Sequence, residues 1–429
     1  MTRRLDAGSA LPPPRRASVR LVTSPCSGEG GDETDVIDQG VVLFFPAPRS
    51  YTGEDVVELH LHGSVGVVRD TLRALGSLGP EFSMAEPGEF TRRAWNNGKF
   101  QDLTSVEAVA DLIRSETRHQ RKQAMEQLRG RLGDLYGGWS QRIHKSLAHI
   151  EAFLDFGQDE MLDSEVLSST RADVSDLLAD IKRHLDDGGV AQSIRNGLSV
   201  CLLGRPNVGK SSLLNVLSQT DAAIVSPDAG TTRDVVEVRM DLGGYPLTLQ
   251  DTAGINLAPS SAVEREGIQR ALARFSSSHV RLLVLDVNGL RDREMWELAE
   301  RSPESTIVVV NKTDLWSEPR PIEVPGGLPV VELSCVSGSG VDRLTEKLRE
   351  SVAGLCAPSL HEPAVTRERH RNHLASSAEA LERFLKSDAS LEMAAEDLRS
   401  AGRSISRITG KTDIEEVLDI IFKDFCIGK

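Results

Sequence analysis

The chain is 429 residues long, enough for two to four domains, and its 39% hydrophobic content supplies ordinary cores for them. A formal net charge of −14 argues against a protein that grips nucleic acid by bulk charge, and no apolar run reaches the length of about 18 residues that a membrane-spanning helix needs. Cys26, Cys201, Cys335, Cys356 and Cys426 are scattered without paired spacing, so neither a disulfide framework nor a zinc site is indicated, and a reducing compartment is expected.

Residues 1–28 carry five arginines and one acidic residue, a composition compatible with a transit peptide. Pro12-Pro-Pro14 breaks the amphipathic helix that such a signal needs, so the segment is expected to belong to the first domain, with any targeting segment upstream. Gly40–Phe45 and Val56–Leu61 read as strands around the turn-rich Pro46–Gly53, and Val65–Leu78 reads as a helix. Residues 1–100 are therefore expected to form a small α/β domain. From Thr104 the period becomes helical: Thr104 and Glu107 have capping-box spacing, and Val106, Val109, Ala110 and Ile113 repeat at i, i+3, i+4, i+7. Ile143, Leu147, Ile150 and Leu154 continue it, so residues 101–195 are expected as long helices interrupted near Asp155–Glu160. Arg114, Arg118, Arg121, Lys122, Arg129 and Arg131 crowd one of these stretches, which suits either a solvated face or RNA contact.

Asp186-Asp-Gly-Gly189 and Asn196-Gly197 punctuate the approach to a domain over residues 196–356. Its strand candidates at 198–203, 235–242, 247–250, 280–286, 306–311 and 328–333 suffice for a Ras-like doubly wound sheet. In residues 357–429 helix returns through Arg367–Leu385, Ser390–Ile408 and Thr412–Phe425, with capping-box spacing again at Thr412 and Glu415. The middle domain thus reads as an insertion into a helical one. The fold class is multidomain α/β: an N-terminal α/β domain, a helical domain and an inserted G domain.

The middle domain carries the chemistry. Gly204-Arg-Pro-Asn-Val-Gly-Lys-Ser-Ser212 follows the apolar run Leu198–Leu203, the strand-then-helix context of a phosphate-binding loop. Gly204 and Gly209 let the backbone approach phosphate, so that Asn207, Val208, Gly209, Lys210, Ser211 and Ser212 surround it. Lys210 is expected to meet the β- and γ-phosphates and the Ser211 hydroxyl to ligate Mg²⁺. In Asp251-Thr-Ala-Gly254, Asp251 is placed to hold that metal through water, and the Gly254 N–H to sense the γ-phosphate. In Asn311-Lys312-Thr-Asp314, Asp314 selects guanine by accepting from its N1–H and N2–H₂ groups, whereas adenine leaves the carboxylate unpaired. Asn311 is expected to brace loops, and Ser334-Cys335 to close over the base. Three motifs in this order imply GTP.

With Ser50-Tyr-Thr-Gly-Glu-Asp-Val-Val-Glu58, Pro87-Gly-Glu-Phe-Thr-Arg-Arg93, Asn97-Gly-Lys99, Gly230-Thr-Thr-Arg-Asp234 and the terminal Phe425-Cys-Ile-Gly-Lys429, the chain resembles the MnmE/TrmE family of tRNA-modification GTPases, and most of all its mitochondrial branch. The resemblance implies dimerisation through the N-terminal domain and joint action on tRNA with an FAD-containing MnmG-type partner. The product implied is an aminomethyl-type group on C5 of the wobble uridine, its carbon drawn from 5-formyl- or methylene-tetrahydrofolate. Ile255 follows the Asp251–Gly254 motif, so no glutamine is present to orient water. Family likeness offers Glu264 for that role, and a K⁺ ion held by Asn207, Ser226, Asp228 and Thr231, with Thr232 as a second Mg²⁺ ligand. It also implies a folate pocket using Glu58, Lys99 and Lys429; Cys426 reads either as a buried small hydrophobe or as a thiol beside that pocket. The family's opening strand and Gly-Arg-Gly-type segment, which brings a pocket arginine, is not found at the start of this sequence, and Asn256 stands where the family often has a basic residue. His60 and His62, two apart on one strand, lack a third ligand and are expected to be packed or surface histidines. Branch likeness places the protein in the mitochondrion, with the cytoplasm as the alternative. A ribosome-assembly GTPase would share the nucleotide motifs, but the acidic chain and its terminal pentapeptide disfavour it; a regulatory switch protein with no chemistry beyond slow GTP hydrolysis is the third reading.

Overall fold

The computed structural model describes residues 12–24, 35–156, 164–219, 237–251, 262–316, 322, 324–357, 364–386, 390–412, 418, 421, 422 and 425. The chain divides into two compact units, residues 1–110 with 410–429, and residues 111–409.

In the first unit, β1 (Ser18–Thr23), β2 (Val36–Phe45) and β3 (Val56–His60) form an antiparallel sheet in that order, with Ser18 opposite Val42 and Val41 opposite His60. The sheet is followed by helices α1 (Val65–Gly76) and α2 (Glu89–Asn96). Ser64 caps α1 by accepting from the Val67 N–H. Ala74 and Leu78 are buried with Ile37, Leu75 and Phe82 packed against them. A second cluster joins Leu103, Val106 and Ala110 to Leu418, Ile421, Phe422 and Phe425 from the end of the chain.

The capping box expected at Thr104 and Glu107 does not start a helix. α3 (Leu103–Arg114) is capped two residues earlier by Asp102, whose carboxylate accepts from the Ser105 N–H at 2.9 Å and the Thr104 hydroxyl at 2.6 Å. Thr104 and Glu107 are buried within that helix, and a carboxylate outranks a hydroxyl at a helix N-terminus because it also meets the dipole. A capping box does form at Thr117 and Gln120, opening α4 (Arg118–Leu128).

In the second unit, α5 (Arg131–Phe156) and α6 (Ser164–Asn196) precede the sheet in sequence, and α11 (Glu368–Lys386) and α12 (Leu391–Thr409) follow it. These four helices pack on one core containing Tyr136, Ile143, Ile150, Leu177, Ile181, Leu374, Leu381, Ile405 and Ile408. The helical domain is thus assembled from both sides of an insertion. Asp186-Asp-Gly-Gly189 does not punctuate the chain as expected, since α6 runs through it to Asn196. Ile181, Ala191 and Ile194 are fully buried on either side, and that packing outweighs a glycine penalty of roughly 1 kcal/mol per residue.

Between α6 and α11, six strands are described: β4 (Leu198–Leu203), β5 (Glu237–Leu242), β6 (Tyr245–Asp251), β7 (Val280–Asp286), β8 (Thr306–Asn311) and β9 (Val330–Glu332), in spatial order β5-β6-β4-β7-β8-β9. All adjacent pairs are parallel except β5 with β6. α7 (Lys210–Ser218), α8 (Ala262–Ser277), α9 (Arg293–Glu300) and α10 (Val341–Cys356) complete this domain. Val200 and Leu202 enter one core cluster while Cys201 and Leu203 enter another, so β4 is buried on both faces. Among the described residues no helix is long and apolar enough to cross a membrane.

Candidate functional site

Parallel strands carry their loops out at a common edge, and β4, β6, β7 and β8 end there at Leu203, Asp251, Asp286 and Asn311. Gly204 leaves β4 so close to β7 that a Cβ would stand 2.2 Å from the Val284 carbonyl oxygen. Gly209 has φ +99°, and its Cβ would stand 2.2 Å from Asn311 Nδ2. Only glycine meets both demands, the left-handed backbone and the close approach. Asn207 is also left-handed at φ 64°, a conformation that asparagine tolerates.

Asn311, 2% exposed, ties the loops together. Its Nδ2 donates to the Val208 carbonyl at 2.9 Å, and its Oδ1 accepts from the Cys335 N–H at 3.1 Å. Lys312 Nζ donates to the Asn207 carbonyl at 2.6 Å and lies 3.4 Å from Asp286 Oδ2. Lys210, 6% exposed, donates to the carbonyls of Gly204 at 3.1 Å and Arg205 at 3.0 Å, and burial lowers its pKa. Ser334 Oγ, fully buried, donates to Asp314 Oδ1 while accepting from the Val336 and Ser337 N–H groups. The Asp314 carboxylate is therefore oriented by a hydroxyl that is itself fixed. Cys335 is half-buried, and burial pushes its thiol pKa up.

The residues present suit a magnesium ion. Ser211 Oγ donates to Asp251 Oδ2 at 2.6 Å, and Asp251 Oδ1 is buried with no hydrogen-bond partner among the described residues. Two hard oxygen donors beside the lysine are the ligand type that Mg²⁺ takes. An orphaned buried carboxylate oxygen is costly unless a cation or its water meets it.

The structure thus brings Asn207, Val208, Gly209, Lys210, Ser211, Asp251, Asn311, Lys312, Asp314, Ser334 and Cys335 to one sheet edge, with Ser212 exposed on the first turn of α7. Ser226, Asp228, Thr231, Thr232, Gly254, Cys426 and Lys429 lie outside the described residues, as does the side chain of Glu264, whose backbone is in α8. In the first unit, Glu58 lies 3.2 Å from His60 Nε2, while Lys99 Nζ donates to the Pro48 carbonyl with its stem packed over Gly53. No ion pair joins Glu58 to Lys99 among the described residues. His62 Nδ1 pairs with Asp38 at 2.9 Å, and the His62 backbone and ring hold that carboxyl below its usual range. Sequence reasoning gave no role to Arg205, Asp286 or Asp292. Arg205 stood inside the quoted loop motif, and Asp292 carried the signal of an N-cap, accepting from Met295 N–H at the start of α9.

A family model for the MnmE helical domain matches residues 103–426, and one for the N-terminus of the GTP-binding protein TrmE matches residues 2–99. The zebrafish (Danio rerio) protein named 5-taurinomethyluridine-tRNA synthase subunit GTPB3, mitochondrial, is 43% identical, over 98% of this chain and 86% of its own length. The Homo sapiens protein of that name is 44% identical, over 99% of this chain and 87% of its own. The tRNA modification GTPase MnmE of Parvibaculum lavamentivorans is 45% identical over 97% of this chain and 92% of its own length. With both ends of the sequence matched and relatives aligned along nearly all of it, the chain belongs to the MnmE/TrmE family of tRNA-modification GTPases.

Proposed function

We propose that this GTPase acts with a separate FAD-containing MnmG-type partner to install an aminomethyl-type group on C5 of the wobble uridine of mitochondrial tRNA. The one-carbon unit comes from 5-formyl- or methylene-tetrahydrofolate. The observation that carries the reading is Asn311, which locks the phosphate loop at Val208 to the base loop at Cys335, so that the strand order itself builds a guanine-nucleotide site. The mitochondrial assignment is supported by relatives named as mitochondrial, although bacterial relatives are as similar.

In this reading Lys210 leaves its carbonyl partners for the β- and γ-phosphates, Ser211 and Thr232 ligate Mg²⁺, and Asp251 holds the metal's water. Asn207, Ser226, Asp228 and Thr231 hold K⁺, and the two cations supply positive charge over the transferring phosphoryl group. Glu264 orients the attacking water, and the Gly254 N–H senses the γ-phosphate. Glu58, Lys99 and Lys429 bind folate beside the Cys426 thiol. The functional divisions are residues 1–100, 101–195, 196–356 and 357–429. Val65, Val68 and Leu72 form an exposed apolar stripe at i, i+3, i+7 on α1, which supports dimerisation through the N-terminal domain.

Mass spectrometry of wobble uridines tests this reading. Cells lacking the protein are expected to lose the C5 substituent, with the wild-type chain restoring it and Cys426→Ser failing to do so while still hydrolysing GTP. Unchanged uridines in the deletion strain would overturn it.

A further inference from the structure

α4 turns glutamines inward and cations outward. Gln120 Nε2 donates to the Arg195 carbonyl at 3.0 Å and Gln123 Nε2 to the Ala191 carbonyl at 3.1 Å, both on α6, while Ala124 and Gln127 are buried. These contacts fix the rotation of the helix. At about 100° per residue, Arg118, Arg121, Lys122, Met125 and Arg129 then fall within an arc of about 100° on the opposite side. Arg118, Arg121 and Lys122 are exposed, and no carboxylate pairs with any of them among the described residues.

The neighbouring acid is already taken. Glu126, the single carboxylate between Arg118 and Leu128, is held by Arg129 at 3.1 Å and Arg131 at 2.9 Å. Six lysines and arginines against two acids occupy residues 114–131 of a chain whose net charge is −14. The local positive potential is felt by His119, whose pKa is lowered by burial and then by Arg118 and Lys122. Between Arg118 and Arg129 no large hydrophobic residue is exposed, so the face lacks the apolar anchor on which protein partners concentrate binding energy.

Resting on the function proposed above, we propose that the Arg118, Arg121 and Lys122 face of α4 docks the phosphate backbone of the tRNA substrate. Long cations spaced along one helix face neutralise phosphates without reading bases, so the contact orients the tRNA and leaves sequence choice to other groups.

The test uses the full chain and an unmodified tRNA transcript with uridine at the wobble position, titrated from about 50 to 200 mM salt. Replacing Arg118, Arg121 and Lys122 together by Gln should weaken binding about tenfold or more at low salt. It should also flatten the slope of log affinity against log salt by about 2, since each phosphate contact contributes roughly 0.7–0.9. Arg118→Lys with Arg121→Lys and Lys122→Arg should bind like wild type, and GTP hydrolysis without tRNA should be unchanged in all variants. If the triple variant unfolds, Lys122→Gln alone should still lower the slope by roughly 0.7. An unchanged slope overturns the proposal, as does loss of binding to the FAD-containing partner with tRNA affinity intact. Wobble uridines from the same strains separate the two readings. If deletion of the gene leaves them modified, the function itself fails; if deletion removes them and the triple variant restores them with wild-type tRNA affinity, only the docking surface fails.

Discussion

Arg205 and Asp292 meet through two bonds, Nε to Oδ2 at 2.7 Å and Nη2 to Oδ1 at 3.3 Å, so a residue of the phosphate loop is clasped to the N-cap of α9. Nη2 also reaches Glu294 at 2.8 Å. The pair shifts both groups toward their charged forms, raising the arginine pKa and lowering that of the aspartate. Because the Arg205 carbonyl accepts from Lys210, the clasp fixes the peptide against which Lys210 rests. Arg205→Ala is expected to cost about 1–2 kcal/mol in urea unfolding and to raise KM for GTP several-fold with a smaller change in kcat. Arg205→Lys, which lacks the planar fork, should recover only part of either effect. A KM equal to wild type would show that the clasp serves stability alone.

Asp314 is oriented by Ser334, and the proposed guanine recognition draws on its charge. Asp314→Asn keeps the hydroxyl partner but presents a donor where a carboxylate accepted. GTP affinity should fall by about 100-fold or more while xanthosine triphosphate gains, because the carboxamide can donate to a 2-oxo group. Full GTP affinity in this variant would remove Asp314 from base recognition.

Ile255 stands where a glutamine orients water in many small GTPases, and Asn207 occupies the phosphate loop in a left-handed conformation. Hydrolysis is accordingly expected to run several-fold faster in KCl than in NaCl at equal ionic strength, with Asn207→Ala losing the difference. Equal rates in the two salts would sink the potassium site.

The helical domain carries its own pH dependence. His184 is buried against Tyr136, whose hydroxyl lies 3.1 Å from Nε2, with Trp139 and His370 around it. Burial, and then the nearby His370, push its pKa from 6.5 down to about 4. The unfolded chain therefore binds a proton below pH 6.5 that the folded chain refuses, so stability declines from pH 6.5 toward 4, by up to about 3 kcal/mol, and this group adds nothing above that window. The urea midpoint should drop between pH 7 and pH 5, and His184→Gln should lessen the drop. A variant with the wild-type pH profile would assign the loss to other groups.

Legibility in the sequence followed the range of the interaction. β4, β7 and β8 could be read at their observed limits because a strand buried on both faces is a continuous apolar run, and the phosphate loop because its glycines, lysine and serine act within nine consecutive positions. The helix at Val65 and the family's segments were local in the same way. Whatever depended on residues meeting across the chain was not. The capping signal at Thr104 was real spacing two residues too late, since Asp102 stands immediately before the helix. Gly188 and Gly189 looked like punctuation because their weak helix propensity is local, while the buried Ile181, Ala191 and Ile194 that hold α6 together act through packing. Sequence by itself thus determined the order of the elements, the nucleotide motifs and the family. The insertion of the middle domain into a helical one was legible too, but only the tertiary structure decided that Asn311 would bridge Val208 and Cys335 and that Arg205 would clasp Asp292. Those pairings join positions far apart along the chain, and only the packing of the helices and sheet brings such positions within bonding distance.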